Sequence, residues 1–514
     1  MNKAERFRRL TCTQELRKDL RGSSVRAAAF TWAAGTVDFV LRIGSTAVLA
    51  RLILPEQFGL VMMVTAVTAI ADQFRDLGLS TATVQRKEIS HEEVSNLFWI
   101  NVSAGVLITL VICGLSPAIS AYYKEPRLTV LTCVLAANFI WGGLMVQHQA
   151  LLARQLKLGH SATVRVLASV LSTALAILLA WFGFGYWALV WREFARCALL
   201  AVGMWLCCPW IPGLPSRKTD VREFIGFGAH LSAANILASI SGGADRILLG
   251  RFWGPGPVAM YRQAYQLLVL PMEQLLSPVY QVTQPGLSML QTDAARFRRF
   301  YQKVLTVVCI ATMPVSVFVS LYAGEITRVL LGHKWVGCTQ ILVILSLGTF
   351  LKSPVDWCGH VLITRGRSKM YLVLTLVGNV IGILLMVAGV WWGPVGIAVA
   401  DVAATYLFSI PRLHYSFKGS PVTIRVFLGT IARPAAASLL MAAVLVLVRH
   451  ATASMPRLIA FALGATMAAV VFPCAWVLMP GGRADLAGLV ADLRSALVGR
   501  RARSALAKPV VMVN

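Results

Sequence analysis

The stretch TWAAGTVDFVLRIGSTAVLARLILPEQFGLVMMVTAVTAIADQFRDLGLSTATVQRK, residues 31–87, decides how the chain is read. It lies across two apolar segments, about 27–48 and 57–79, joined by ARLILPEQFG at 50–59. Each is long enough to cross a hydrocarbon core about 30 Å thick, which takes roughly 20 apolar residues in a helix. Both nevertheless carry charge: Asp38 and Arg42 in the first, Asp72, Arg75 and Asp76 in the second. An ionisable group at the centre of a membrane helix costs at least about 2.5–3.5 kcal/mol. These side chains are therefore expected to face a watery cavity or one another. Asp38 and Arg42 should lie deep, with Arg75 and Asp76 near the inner mouth.

The whole chain has this character. Its 514 residues are 57% hydrophobic and 14% charged, with mean hydropathy +0.70, whereas soluble domains carry about 25% charge. The fold class is all-α, a polytopic membrane protein. A net charge of +26 in a soluble protein points to nucleic acid; in a membrane protein it marks cytoplasmic loops, and no nucleic-acid partner is expected. The ten cysteines form no CxxC and imply no disulfide framework. Residues 1–26 carry eight basic residues and run straight into a spanning segment, so a cytoplasmic basic leader is expected rather than a cleaved signal. Phe7, Leu10, Leu16 and Leu20 would give it an apolar stripe as an interfacial helix; a disordered tail is the alternative.

Working outward gives fourteen segments: about 27–48, 57–79, 96–117, 128–150, 163–184, 186–208, 223–245, 257–280, 304–325, 336–357, 370–392, 394–411, 427–448 and 457–479. The fifth and sixth meet at a corner near Gly183 and Gly185, the eleventh and twelfth at Gly393–Pro394. With a cytoplasmic N-terminus, the leader, even-numbered loops and tail hold 31 of the 48 Lys and Arg, the odd loops 8 and the segments 9. That bias sets orientation when loops are short. Fourteen helices with both termini on the cytoplasmic side is the expected topology.

An internal repeat refines the organisation. VLARLILPEQFG at 48–59 stands two hundred residues before LLGRFWGPGPVA at 248–259, matching at Leu49, Arg51 and Pro55 against Leu249, Arg251 and Pro255. Two pseudo-symmetric six-helix lobes follow: an N-lobe at 27–208 (helices 1–6) and a C-lobe at 223–413 (helices 7–12), linked by cytoplasmic 209–222. Helices 13–14 at 427–479 are an addition, and 480–514 a cytoplasmic tail in which 484–499 has the spacing of an interfacial helix. Gly286 to Lys303, with Arg296, Arg298 and Arg299, reads as a linker on the inner surface.

Enzyme signatures are scarce. No phosphate-binding GxxxxGK[ST] and no zinc-binding HExxH occurs, and no cofactor or metal is expected. The outer loops are too short for the catalytic loop of a membrane glycosyltransferase or polymerase, which stays as an alternative from another class. The chemistry therefore rests with the intramembrane charges. Arginine suits bidentate phosphate binding and keeps its charge, so Arg42, Arg75, Arg192, Arg196, Arg262 and Lys352 are candidates to line a cavity for an anionic, phosphate-bearing solute. Asp38, Asp72, Glu273 and Asp401 are candidates for proton or sodium coupling. The competing reading is structural. On it, Asp38–Arg42 and Lys352–Asp356, spaced i,i+4, only neutralise each other, and Arg75, Asp76, Arg246 and Asp356 stand near helix ends, where snorkelling is cheap. Glu193 accompanies Arg192 and Arg196, while Asp245 with Arg246 closes the seventh segment. Asn101, Asn138, Asn235 and Asn379 read as interhelical hydrogen-bonders, Gly378 and Gly382 as a packing motif, and Pro271, Pro278 and Pro354 as kinks.

ARLILPEQFGLVMMV, DLGLSTATVQRKE at 76–88, LFWINV at 97–102 and DRILLGRFWGPGPVAMYRQAYQLLVLP at 245–271 resemble the polysaccharide-export (Wzx, WzxC-like) flippases. That family belongs to the multidrug/oligosaccharidyl-lipid/polysaccharide exporter superfamily, with the lipid II flippase and the MATE antiporters. The resemblance spans helices 1–12. It implies two six-helix lobes around a central cationic cavity and the flipping of an undecaprenyl-pyrophosphate-linked oligosaccharide, for exopolysaccharide, O-antigen or capsule. Candidate partners are that lipid-linked substrate, membrane lipids, a polysaccharide polymerase and a chain-length regulator. A cation-coupled exporter of small amphipathic molecules is the alternative on the same architecture, although its cavity would more often be acidic and aromatic than Arg-bearing.

Overall fold

A computed structural model describes residues 20–76, 78–86, 89–215, 239–479 and 482–483. The described chain is helical: α1 (Leu20–Leu52), α2 (Pro55–Asp76), α3 (Leu79–Gln85), α4 (His91–Tyr123), α5 (Leu128–Ala136), α6 (Asn138–Arg154), α7 (Leu158–Trp181), α8 (Tyr186–Cys207), a helical stretch 239–253, α9 (Pro255–Met289), α10 (Ala294–Leu321), α11 (Ala323–Leu330), α12 (Cys338–Asp356), α13 (Gly359–Thr364), α14 (Ser368–Gly389), α15 (Gly393–Phe417), α16 (Ile424–Ala451) and α17 (Arg457–Leu478). Ten helical runs among the described residues are long and apolar enough to cross a membrane, and one of them, Ser368–Phe417, contains both α14 and α15. Charge-bearing α8 and α9 stand beside that set at spanning length. This is a polytopic helical membrane protein. Its surface is apolar where a soluble protein's would be polar: Leu110, Leu206 and Leu447 are 65%, 79% and 70% exposed. Helices satisfy their own backbone groups, so such a surface is stable in hydrocarbon.

Local chemistry sets the ends. Ser90 and Glu93 form a reciprocal capping box that starts α4, and Asp293 caps α10 through the amides of Ala295 and Arg296. The two tight corners fall where the sequence puts them. Gly185 (φ +56°) ends the α7–α8 turn and Gly393 (φ +69°) joins α14 to α15; both need a left-handed backbone that glycine adopts without strain.

Several boundaries differ from the sequence reading. The fourth segment is two helices, parting at Ala137, and the tenth is α12 and α13, parting after Pro354 at Trp357–Cys358, where proline removes a ladder donor. Gly286–Lys303 is not a linker: α9 runs to Met289 and α10 begins at Ala294, so Arg296, Arg298 and Arg299 are helical. Asp245 and Arg246 do not close a helix, because 239–253 continues past them. Asn101 bonds nothing across helices, and both its amide atoms are buried without a partner. Its helix α4 instead meets α6 by close backbone approach. A Cβ on Gly105 would stand 2.5 Å from the Phe139 carbonyl oxygen, and one on Gly143 2.6 Å from that of Asn101. Gly378 packs against the Phe408 ring of α15, a local contact as expected. The leader, the tail helix, Asn235 and most of the seventh segment lie outside the described residues.

The chain divides into two compact units. Unit 1 holds residues 1–277, 326–348 and 372–408; unit 2 holds 278–325, 349–371 and 409–514.

Candidate functional site

In unit 1, α1, α7 and α8 bring four of the expected residues together. Asp38 is 3.9 Å from Arg42, and its firmer contact is with Ser169 of α7, whose hydroxyl donates to it at 2.7 Å. From α8, Arg196 donates twice to one carboxylate oxygen of Glu193, at 3.1 and 2.8 Å. Arg192 has Glu193, Arg196, Arg42 and Asp38 as its charged neighbours, and its Nε is buried without a partner. Arg42 is the accessible member, its side chain 57% exposed. Arg75 and Asp72 of α2, paired at 2.9 Å, are charged neighbours of Cys197 one residue beyond Arg196. Arg75 owes its place to Gly142 of α6, where a Cβ would collide with its side chain. Four arginines thus stand with three acids, Asp38, Asp72 and Glu193, leaving one positive charge in excess among packed helices. Such an array is costly in hydrocarbon and suited to an anion with several oxygens. Asp76 is elsewhere occupied: it accepts bonds from the amide and hydroxyl of Ser80 and so caps α3.

The remaining candidates divide. Arg262 of α9 lies over the Tyr265 ring at 5.1 Å. It is a charged neighbour of Asp245 and Arg246, whose side chains are only 10% and 11% exposed. Arg246 is therefore a buried mid-helix charge and not a snorkelling end group. Asp401 of α15 is also among the charged neighbours of Asp245. Glu273 is exposed on α9. Lys352 lies in unit 2, on α12, where Asp356 pairs with Arg412 of α15 at 2.6 Å. The i,i+4 spacing of Lys352 and Asp356 gave no sign of that partner 56 residues on.

One end of unit 1 is closed by the repeat strings themselves. A Cβ on Gly59 would fall 1.8 Å from the Pro255 carbonyl oxygen, so the starts of α2 and α9 abut. Arg51 donates to the Val329 carbonyl at 2.7 Å, and the indole Nε1 of fully buried Trp335 donates to Ala50 at 2.9 Å. Its repeat counterpart Arg251 lies over the Tyr122 ring at 5.6 Å. Each arginine of the repeat thus reaches a segment far along the chain. In unit 2, an apolar cleft of about 280 Å³ opens between α10, α16 and α17, lined by Pro314, Phe318, Met441 and Phe472 among others.

With this geometry in view, the model of the polysaccharide biosynthesis protein family matches residues 48–340. The chain belongs to that family. The matched range begins at the α1–α2 corner and takes in the arginine cluster of α8. Members and relatives agree. The chain is 27% identical over 357 residues to the lipopolysaccharide biosynthesis protein WzxC of Escherichia coli, covering 68% of this chain and 71% of that one. It is 22% identical over 321 residues to the succinoglycan biosynthesis transport protein ExoT of Rhizobium meliloti, covering 62% and 65%. Among solved structures, lipid II flippase MurJ superposes with TM-score 0.70 at 14% identity, covering 88% of this chain and 98% of that one. A multidrug MATE transporter gives 0.54 at 16% identity, covering 76% and 94%. The fold of this family member is that of these polytopic transporters.

Proposed function

We propose that the chain is an inner-membrane flippase, moving an undecaprenyl-pyrophosphate-linked oligosaccharide from the inner to the outer leaflet for polysaccharide biosynthesis. The observation that carries the reading is the unit 1 cluster, in which Arg42, Arg192 and Arg196 gather around Asp38 and Glu193 in a member of a polysaccharide biosynthesis family. Arg42, the exposed member, meets the pyrophosphate first, and Arg192, Arg196 and Arg75 complete the cradle. Arg262 extends it, and Lys352 supplies a further cation at a later stage of passage. Asp38, Asp72, Glu273 and Asp401 are the groups proposed to take up the coupling ion, since the sequence offers no ATP-binding motif.

Lobes 27–208 and 223–413 rock about the bound headgroup in alternating access, with Arg51, Arg251 and Trp335 in the outer seal. The polyprenyl tail stays in the bilayer beside helices 13 and 14, where the cleft of α10, α16 and α17 offers an apolar bed. Released repeat units pass to a polymerase and its chain-length regulator; the chain itself makes no covalent change.

Arg42→Ala should leave lipid-linked repeat units in the inner leaflet while the protein stays abundant, read by product analysis of membrane lipids and exported polymer. Normal export in that variant removes Arg42 from substrate handling, and altered polymer length without accumulated lipid-linked units favours an enzyme. Both termini are proposed to be cytoplasmic. A periplasm-active reporter should work at Gly183 and fail at Lys218; activity at Lys218 overturns the orientation.

A further inference from the structure

Unit 2 holds a second polar–aromatic cluster that the pyrophosphate reading does not use. Three rings meet where α12 gives way to α13. Tyr280 of α9 lies 4.7 Å from Trp357, Trp357 lies 4.8 Å from His360, and Tyr280 lies 5.6 Å from His360, all at tilted angles. Gln284, one turn past Tyr280 on α9, bonds Nδ1 of His360 through its Oε1 at 2.9 Å. Next in sequence to Trp357, Asp356 pairs with Arg412 at 2.6 Å. Arg412 also reaches the start of α13, its Nη2 3.8 Å from where a Cβ on Gly359 would stand, next in sequence to His360. The ion pair and the ring cluster thus flank the same α12–α13 junction.

Two features set this patch apart from ordinary core. Its polar and aromatic parts are accessible: Tyr280 is 41% exposed and the Asp356 carboxylate side chain 40%. An ion pair this open does not face lipid without heavy cost, so the face it shares with Tyr280 is a wet one. Trp357, in contrast, is fully buried, and its indole Nε1 has no hydrogen-bond partner.

We propose that Tyr280, Trp357, His360 and Gln284, with the Asp356–Arg412 pair, form a saccharide-recognition patch that reads the glycan of the translocated lipid. The inference rests on the flippase reading above and assigns to unit 2 the sugar part of the substrate. A pyranose has a C–H face and a rim of hydroxyls. The exposed Tyr280 ring, backed by His360 and the buried Trp357, offers the flat apolar surface that the C–H face covers. Planar groups such as Asp356, Arg412 and Gln284 match neighbouring hydroxyls, accepting and donating in pairs. A pyrophosphate would need a net positive charge, which this patch does not have: its one carboxylate and one guanidinium cancel. The charge balance of the patch therefore suits a neutral sugar rather than a phosphate.

The test uses the full-length protein in lipid nanodiscs and two probes: undecaprenyl pyrophosphate without sugar, and undecaprenyl-pyrophosphate-linked oligosaccharide extracted from the source cells. Tyr280→Ala and Gln284→Ala, both at partly exposed positions, should each weaken the glycosylated probe by about tenfold and leave the sugar-free probe within about twofold. Arg192→Gln should weaken both probes. Size-exclusion elution and melting temperature identify any variant that fails to fold, and the other variant then carries the measurement. Equal loss for both probes in Tyr280→Ala, or unchanged binding of the glycosylated probe in both variants, overturns the proposal while leaving the flippase reading intact. Wild-type protein that binds neither probe overturns both.

Discussion

Replacing Trp335 tests whether the contacts at the closed end of unit 1 hold one state of the transporter or simply its fold. Trp335 is fully buried, its Nε1 donates to the Ala50 carbonyl at 2.9 Å, and its ring meets Phe58 edge-on at 5.3 Å. Truncating a buried Trp to Ala costs about 3–5 kcal/mol. Roughly 1 kcal/mol of that is the hydrogen bond, and about 0.5–1.5 kcal/mol is the edge-on pair. If these contacts exist only while this end is closed, the loss falls on the closed state. The closed-to-open ratio then drops between about a hundredfold and a few thousandfold. Trp335→Phe keeps most of the volume and removes the donor, so a drop of about tenfold or less is expected. Hydrogen–deuterium exchange on the protein in nanodiscs reads this without added labels. Amides across 50–59 and 326–336 should exchange faster, more in Trp335→Ala than in Trp335→Phe, while α16 and α17 keep their protection. Unchanged exchange over 50–59 would refute the reasoning. So would a uniform rise along the chain, which would make Trp335 a residue of the global core.

Two further outcomes follow from local geometry. Gly105→Ala should destabilise by about 1–3 kcal/mol, because its Cβ would stand 2.5 Å from the Phe139 carbonyl oxygen. Gly114→Ala on the same helix meets nothing within 4 Å and should be neutral or stabilising by up to about 1 kcal/mol; paired thermal unfolding in one detergent separates them. In the connection after α4, the Arg127 guanidinium bonds both oxygens of Glu125 at 2.7 and 2.9 Å and holds its carboxyl below the usual range. The lowered carboxyl contributes stability above its unfolded pKa of about 4.3. That contribution disappears as pH falls through the lower folded value. Glu125→Gln should therefore narrow the gap between melting temperatures at pH 6 and pH 3, and an identical gap would remove the pair from acid sensitivity.

The sequence carried the spans well because hydropathy and loop charge act over whole segments, and fourteen segments map in order onto the helices, the seventh only in part. The corner glycines were legible for a different reason: Gly185 and Gly393 serve a backbone geometry that few other residues adopt. The repeat was legible as three identities, yet its meaning was not, because nothing in the offset says that Gly59 and Pro255 touch. Charges were found and their partners were missed. Asp38 has a sequence neighbour in Arg42 at 3.9 Å, but its shorter bond goes to Ser169, 131 residues away. Asp356 and Arg412 likewise meet across 56 residues. Periodicity within one helix ranks i,i+4 neighbours highly, whereas in a bundle the partner is set by which helices pack. The short helices α3, α11 and α13 escaped because they are seven, eight and six residues long, below the length at which an apolar period is visible.

The two ends of the proposed mechanism are joined by single helices. Helix α1 carries Asp38 and Arg42 in the arginine cluster and ends at Ala50 and Arg51, which meet Trp335 and Val329 at the closed end. Arg42 and Arg51 are nine residues apart on a continuous helix, about 13 Å at 1.5 Å per residue. Helix α2 repeats the arrangement, with Phe58 and Gly59 at the closed end and Asp72 and Arg75 toward the cluster. A helix with its backbone hydrogen bonds intact tilts as a body, so in the proposed mechanism a headgroup that drew Arg42 toward the α8 arginines would also move the Ala50 carbonyl against the Trp335 indole. The headgroup can shift that equilibrium only by its difference in affinity for the two arrangements. The four arginines against three acids supply such a difference if closing the cluster around an anion relieves their mutual repulsion, and they oppose closure when the cluster is empty. In the proposed mechanism, charge in the cluster and packing at the sealed end would act in opposite directions along the same two helices, with the anionic substrate deciding between them.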